Sequence, residues 1–259
     1  ALKKGGFLIL STGEQHGFFQ RNIQRLILYK ISKNEKEIII NAKILFKDHL
    51  KRSTKFGGRS VNEIISDTYL NPKINTVSTD QILTELKKNK VSFYSSRDPL
   101  LDLREFSQSY QSQQHSFGKR SLVKKTKGSY LHYINDFSLS NQTKDESMNL
   151  FFLGMNKNLH KICSSVNDIN FSSPLPKMQL KNLINLKKNM NEIQKINVVD
   201  INHNKKFIDE MIVVFKILNS NETKENKFNK LRSYLKKTKV IFKRYNGVGM
   251  KYLTGYKFI

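Results

Sequence analysis

The chain has 259 residues, with 46 Lys and Arg against 21 Asp and Glu, and its formal net charge is +25. Such an excess favours a polyanionic partner, either nucleic acid or an anionic membrane surface. The single cysteine, Cys163, excludes an internal disulfide and a multi-cysteine zinc site, and it fits a reducing compartment. No apolar run approaches the roughly 20 residues of a membrane-spanning helix, so we predict no membrane span. The cations are spread from Lys3 to Lys257, which favours a protein embedded in RNA over an enzyme with one basic patch.

The first predicted elements are a strand and an amphipathic helix. Residues 5–12 predict a short buried strand that is entered through glycines. Apolar residues at helical spacing predict a helix over about 18–33. Arg21 and Arg25 fall on the expected outer face of this helix, where they are candidate phosphate contacts. The alternative is the ordinary solvated charge of a surface helix.

A strand and a basic loop are expected next. Apolar residues alternate from Ile38 to Phe46, which predicts a strand. The stretch from Lys51 to Ser60 then holds four cations and two adjacent glycines. Glycines permit close approach of the backbone to phosphates, which the flanking cations would also contact; the alternative is a flexible, solvated loop. The candidate RNA-contacting residues of this loop are Lys51, Arg52, Lys55, Gly57, Gly58 and Arg59.

Residues 61–104 complete the N-terminal part. Val61–Ile65 predicts another strand or a short helix. Gln81–Leu86 predicts a strand, and a helix start capped by Thr79 or Asp80 is the competing interpretation. We therefore expect residues 1–104 to form a compact α/β sandwich-like domain that binds RNA.

Residues 105–147 predict an irregular basic linker. The segment is rich in Ser, Gln, Asn and Lys, and it has too few apolar residues to fold alone. Its basic residues are interleaved with aromatic ones, a composition that suits phosphate contacts and base stacking in RNA; the alternative is a disordered linker. The candidate RNA-binding residues here are Lys119, Arg120, Lys124, Lys125 and Lys127.

Residues 148–259 predict a helical extension. Helices are expected at 148–162, 177–196, 205–218 and 224–237 from the spacing of their apolar residues. Lys239–Tyr245 and Met250–Phe258 predict two strands of a β-hairpin, because Asn246-Gly247 between them is a strong turn sequence. The expected fold class is therefore α+β: an N-terminal sandwich-like domain, a basic linker and a helix-rich region that ends in a hairpin.

No residue pattern in the chain predicts catalysis. The six histidines form no His-Glu-x-x-His or comparable ligand pair, and the glycines form no standard phosphate-binding loop. Acidic residues are scarce and scattered, so no carboxylate cluster of a nuclease or polymerase is visible. We expect a non-enzymatic protein without cofactors or metal ligands.

Four stretches taken together resemble the large-subunit ribosomal protein family sixteen, over about residues 5–104. Gly17 with Arg21–Arg25 resembles the opening of a family helix, and Glu37–Phe46 resembles the strand that follows. Lys55–Arg59 resembles a loop of that family rich in glycine and lysine. The most specific match is Val77–Leu86, which is similar to the mitochondrial members' sequence Val-Ser-Thr-Gly-Gln-Ile-Leu-Phe-Glu-Met.

This resemblance implies an α+β protein bound to large-subunit rRNA near the tRNA elbow and the peptidyl transferase centre. Expected partners are rRNA, neighbouring ribosomal proteins and tRNA, and the expected location is the mitochondrial matrix. The heavy use of Lys, Asn and Ile agrees with an AT-rich genome, often an organelle's, and the start at Ala1 would fit a cleaved targeting segment.

Two alternatives stay open. Lys251–Ile259 is similar to a strand of the mitochondrial small-subunit ribosomal protein family three. A function of another class is a basic nucleic-acid enzyme, such as an intron maturase or an endonuclease.

Overall fold

The computed structural model describes residues 2–13, 18–71, 76, 77, 79–96, 161, 162, 171, 177–195, 202–243 and 250–258. They belong to two compact units. The sheet unit lies within Ala1–Phe18, Thr76–Asn156 and Gly247–Ile259, and the helical unit lies within Phe19–Asn75 and Lys157–Asn246. The described part of residues 1–104 thus contributes to both units, and the expected domain limits at 104 and 147 lie outside the described residues.

The described residues confirm a mixed α+β fold. Three strands form an antiparallel sheet in the order β1-β3-β2: β1 (Phe7–Gly13), β2 (Ser92–Ser96) and β3 (Met250–Tyr256). A π-helical turn spans Ser66–Leu70. The α-helices are α1 (Phe19–Ile31), α2 (Glu35–Leu45), α3 (Lys47–Gly57), α4 (Val61–Ile65), α5 (Thr79–Lys88), α6 (Lys177–Lys195), α7 (Asn202–Asn219) and α8 (Lys224–Lys237).

The core of the sheet unit lies between the sheet and α5. Leu253 of β3 is fully buried and packs with Ile82 and Leu86 of α5, while Leu8 and Leu10 of β1 cover the same cluster. Because side chains alternate across a strand, the even-numbered residues of β1 face this core and the odd-numbered ones face away. The strands predicted at 5–12 and 250–258 are therefore confirmed, but β1 is not buried as expected, because one of its faces is exposed.

The predicted C-terminal hairpin is wrong. β3 does not pair with residues 239–243, which form a turn, but lies between β1 and β2. The reason is that the carboxylate of Glu210 on α7 accepts three consecutive backbone N–H groups, from Lys239, Val240 and Ile241, at 2.8, 3.1 and 2.8 Å. Those donors are then not available to a strand partner.

Helix α1 is at the centre of the helical unit. It is buried on nearly all sides, and α2, α8 and the π-helical turn pack against it. Helices α6 and α7 pack against each other through fully buried apolar residues, which include Leu186, Met190 and Phe215. The predictions for α1, α6, α7 and α8 are confirmed.

The predicted strand at 38–46 is wrong, because these residues form α2. Asn34 caps the helix: its side chain accepts from the Glu37 N–H at 3.0 Å, and the Glu37 carboxylate accepts from the Lys33 N–H at 2.8 Å. Ile38 and Ala42 are buried, and they are four residues apart, as on one face of a helix. Ile40 and Ile44 are exposed, so the alternation that favoured a strand does not correspond to burial.

The predicted loop at 51–60 is also wrong. Helix α3 runs to Gly57, and Gly58 ends it in the left-handed conformation, with φ 61° and its N–H donated to the Thr54 carbonyl. Ser60 immediately caps α4 in a capping box with Glu63. The stretch is a helix–helix junction, and its glycines serve the turn.

Two short segments had alternative predictions. The helical alternative is correct for both, since Val61–Ile65 forms α4 and Gln81–Leu86 lies within α5. Ile82 and Leu86 are buried four residues apart. Of the helix expected at 148–162, only residues 161 and 162 are described, and they are helical; residues 105–147 lie outside the described residues.

Candidate nucleic-acid interface

Three exposed lysines form a ridge on α3. Lys47, Lys51 and Lys55 are spaced four residues apart, so they lie on one side of the helix. Helix geometry places successive lysines about 6 Å apart along the axis. We call this set the lysine ridge. Lys51 and Lys55 are predicted site residues, whereas Lys47 is not, because it precedes the predicted loop.

The ridge continues into a cavity of about 200 Å³ in the same unit. Its lining includes four cationic residues, Lys47 from α3, Arg232 and Lys236 from α8, and Lys243, against one acidic residue, Asp48. Its apolar lining includes Phe46, Leu235 and Phe242. A lining that is both apolar and cationic suits an anion that also carries an apolar part, as a nucleotide does.

Hydrogen bonds fix the backbone beside this cavity. Phe242 has a φ of 61°, which is uncommon for a residue other than glycine. Its N–H donates to the Gln20 side chain at 2.9 Å, and its carbonyl accepts from the Arg52 guanidinium at 3.2 Å. Its ring packs edge-on against Phe46, with centroids 5.2 Å apart. The cavity wall is therefore held by the surrounding structure.

His49 lines the cavity as a neutral group. It is buried, and this burial, together with the nearby charges of Arg21 and Arg52, lowers its pKa from 6.5 to about 4. At neutral pH its imidazole adds no charge to the cavity.

Two predicted cations on and after α3 have partners within the protein. Arg52 holds the Phe242 carbonyl, so its main contribution is structural. Arg59 forms an ion pair with Asp67 at 3.0 Å and donates to the Glu63 carbonyl at 3.2 Å. Its side chain is still 47% exposed, so a phosphate could reach it, but Asp67 offsets part of its charge.

The glycine pair lies at the end of a helix and not in a loop. Gly57 is the last residue of α3 and Gly58 is the cap, so the positive φ of Gly58 serves the helix end. A Cβ atom at Gly58 would meet nothing within 4 Å, and one at Gly57 would meet only Arg59 Cδ, at 4.0 Å. A side chain at either position would therefore not clash with other atoms of the protein.

The prediction that Arg25 contacts phosphate is wrong. Arg25 is fully buried, donates to the Asn71 carbonyl at 2.6 Å and lies 5.5 Å from the Tyr29 ring. Its charge is accommodated inside the protein by these groups. Arg21 is half-buried; desolvation lowers the pKa of its guanidinium, while Tyr69 and Asp67 oppose that shift. It remains protonated at neutral pH.

The other predicted residues, Lys119, Arg120, Lys124, Lys125 and Lys127, lie outside the described residues. Arg232 and Lys236 are not among the predicted site residues, although their spacing of four residues on a predicted helix is visible in the sequence. What the sequence could not reveal is that the fold brings α8 next to the start of α3. Within the described ranges, no group of three or more His, Cys, Asp or Glu side chains is arranged to hold a metal ion.

The described helices include none that is both long and apolar enough to cross a membrane. Comparison with known proteins adds no relative: no protein-family model, no curated protein and no solved structure matches the chain.

Proposed function

We propose that the chain is a structural, rRNA-binding protein of a mitochondrial ribosome. The observation that carries the proposal is the lysine ridge of α3, which leads into a cavity with a partly cationic lining in a chain of net charge +25. Phosphate contacts from a row of exposed lysines fix the position of an RNA backbone without reading its sequence. This is the role of a protein that holds folded rRNA.

The finer placement rests on the resemblance. It is the basis for a position in the large subunit near the tRNA elbow and the peptidyl transferase centre, with rRNA, tRNA and neighbouring ribosomal proteins as partners in the mitochondrial matrix. Two of the resembling stretches are helical here: Glu37–Phe46 overlaps α2, and Lys55–Arg59 forms the end of α3 and its cap. RNA binding is therefore the better supported part of the proposal.

A second candidate is the mitochondrial small-subunit protein of family three. The stretch that carries that resemblance, Lys251–Ile259, overlaps β3, the central strand of the sheet. In both candidates the chain is a non-enzymatic ribosomal component. The competing class, a maturase or endonuclease, would bind intron RNA or cleave nucleic acid.

Sedimentation of the tagged full-length protein from mitochondrial lysate tests the proposal. We expect it to migrate with ribosomal large subunits at low and moderate salt and to shift to light fractions after ribonuclease treatment. Migration with small subunits would instead support the family-three candidate. If the protein stays off both subunits at both salt concentrations, the ribosomal proposal is wrong, and co-purification of intron RNA would favour the enzyme class.

A further inference from the structure

The outward face of the sheet is rich in exposed aromatic side chains. Leu8 and Leu10 of β1 point towards the core, so Phe7 and Ile9 point away, and they are 55% and 75% exposed. The register places Tyr256 opposite Phe7 on this same face. Tyr252 and Phe258 follow at even spacing from Tyr256, and Phe258 is 50% exposed.

One connected group of rings on this face consists of Phe7, Tyr94, Tyr256 and Phe258. The Phe7 ring lies 5.3 Å from Tyr94 of β2 and 4.8 Å from Tyr256 of β3, measured between centroids. The Tyr256 ring is 5.0 Å from that of Phe258. Connected apolar surface of this kind marks a binding site more often than scattered exposed residues do. We call Phe7, Tyr94, Tyr252, Tyr256 and Phe258 the aromatic face.

The charge around the aromatic face has one sign. Residues 2–13, 91–96 and 252–258 include three lysines and no Asp or Glu. Lys3 and Lys4, just before β1, are exposed and supply this charge, whereas Lys257 is half-buried and alternation places it on the side of Leu253. A partner with flat apolar groups and a negative backbone would complement both the rings and the lysines.

Unpaired RNA has both of these properties. Its bases stack on aromatic side chains while its phosphates pair with cations. A sheet surface of this composition is one of the common ways to hold a single strand, with about two or three bases stacked on the rings. A purely apolar protein partner would leave the uniform positive charge without a complement.

We propose that the aromatic face is a stacking platform for the bases of an unpaired RNA segment. This rests on the proposed function, since it names the class of RNA that the sheet unit would hold. It differs from the lysine ridge in what it recognises: the ridge contacts phosphates of any strand, whereas the aromatic face requires accessible bases. The bases of a duplex are stacked on each other, so they are not accessible to the aromatic face.

The test uses a fluorescent reporter built into the full chain. The protein contains no tryptophan, so Tyr94→Trp introduces a single one within the aromatic face. The probes are a short oligoadenylate, an abasic strand of the same length and an RNA duplex. We expect the oligoadenylate to quench the reporter and to bind more tightly than the abasic strand, by about 5- to 150-fold for each stacked base. Tyr252→Trp provides a second reporter if the first perturbs folding.

Two further variants separate base stacking from protein docking. Phe7→Leu with Phe258→Leu keeps the surface apolar but removes two rings; we expect oligoadenylate binding to weaken at least about tenfold, with duplex binding unchanged. Ile9→Ser, the control, removes an apolar side chain that is 75% exposed on the same face of the sheet but leaves every ring in place, and it should leave oligoadenylate binding unchanged.

Several results would overturn the proposal. If base-containing and abasic strands bind equally, or if the double leucine variant binds as wild type does, the face does not stack bases. The protein is also tested for self-association. If Ile9→Ser abolishes self-association and the double leucine variant retains it, the face is a protein interface. If duplex RNA binds, but base-containing and abasic strands bind with the same affinity, only the stacking proposal fails. If neither single-stranded nor duplex RNA binds, both the stacking proposal and the proposed function fail.

Discussion

Glu210 stabilises the turn beside the cavity through three hydrogen bonds, of which those from Val240 and Ile241 are buried. Removing its side chain leaves three backbone N–H groups without their acceptor, and each such group costs about 1–3 kcal/mol when it is buried. Two of the three N–H groups are buried, so we expect Glu210→Ala to lower the free energy of unfolding by at least about 2 kcal/mol, measured by urea denaturation. The neighbouring Asp209 forms an exposed ion pair with Lys187, so Asp209→Ala is a matched control that should cost under about 1 kcal/mol. Equal effects of the two substitutions would contradict this account.

His49 makes stability depend on pH. Its pKa is depressed to about 4 in the folded protein, against 6.5 ordinarily, so the unfolded chain takes up a proton first as the pH falls. Its contribution is fully present above about pH 7.5 and falls by about 3 kcal/mol on reaching pH 4. His49→Gln cannot titrate, so the difference in unfolding free energy between wild type and this variant should change by that amount. A constant difference from pH 7.5 to pH 4 would show that His49 is accessible to protons in the folded state.

The burial of Arg25 shows why residue-level predictions of a binding site fail. An arginine between apolar residues of a helix normally marks a solvated face. Here two groups hold the guanidinium inside the protein. The Asn71 carbonyl is distant along the chain, and the Tyr29 ring is on the next turn of the helix. No local pattern in the sequence encodes such a pairing. The exposure of Lys51 and Lys55 is what a lysine normally shows, so it could be expected from the sequence.

At the scale of elements, the junction between α3 and α4 depends on two adjacent glycines with opposite roles. Gly57 is helical, so Gly57→Ala should stabilise the protein by up to about 1 kcal/mol. Gly58 has a positive φ, so Gly58→Ala should destabilise it by about 1 kcal/mol. Thermal unfolding followed by circular dichroism checks both shifts, and RNA affinity should not change in either variant. If both substitutions impair RNA binding but not stability, the glycines serve backbone approach to phosphate after all.

An element could be predicted from the sequence where its residues fit only one pattern, either the spacing of a helix or that of a strand. Helices α6, α7 and α8 have only helical spacing, and β1 has only a short apolar run with a glycine entry. In α2, Ile38 and Ala42 fit a helix, while Ile38, Ile40, Ala42 and Ile44 fit a strand equally well. The capping residues Asn34 and Glu37 decide between them, and they were visible in the sequence. The partners of β3 were not, because strand pairing is set by tertiary contacts.

At the scale of the whole molecule, the net charge becomes useful for RNA binding only where cations lie together. The triple substitution Lys47→Ala, Lys51→Ala and Lys55→Ala removes the lysine ridge. If each lysine contacts one phosphate, the slope of log affinity against log salt should become shallower by roughly 2 to 3. Fluorescence anisotropy with a labelled rRNA fragment, measured across salt concentrations, gives this slope.

The control for this experiment removes the same charge elsewhere in the helical unit. Lys181, Lys188 and Lys206 are exposed on α6 and α7, away from the ridge along the chain. Alanine at these three positions should reduce affinity slightly through the overall field but leave the slope close to that of wild type. If both triple variants change the slope equally, binding depends on the total charge and the ridge is not a distinct site.

The position of β3 has a consequence for biosynthesis. β1 and β2 pair with β3 and not with each other, so neither strand has its hydrogen-bonding partner until residues 250–256 have been made. At a synthesis rate of roughly 5–20 residues per second, β1 waits about 10–50 s for that partner. During this interval its apolar residues and open edge are accessible to other chains, a state that favours aggregation. The helical unit likewise includes residues up to Asn246, so both units are completed only near the end of synthesis. Until then the newly made chain depends on chaperones or bound RNA for protection.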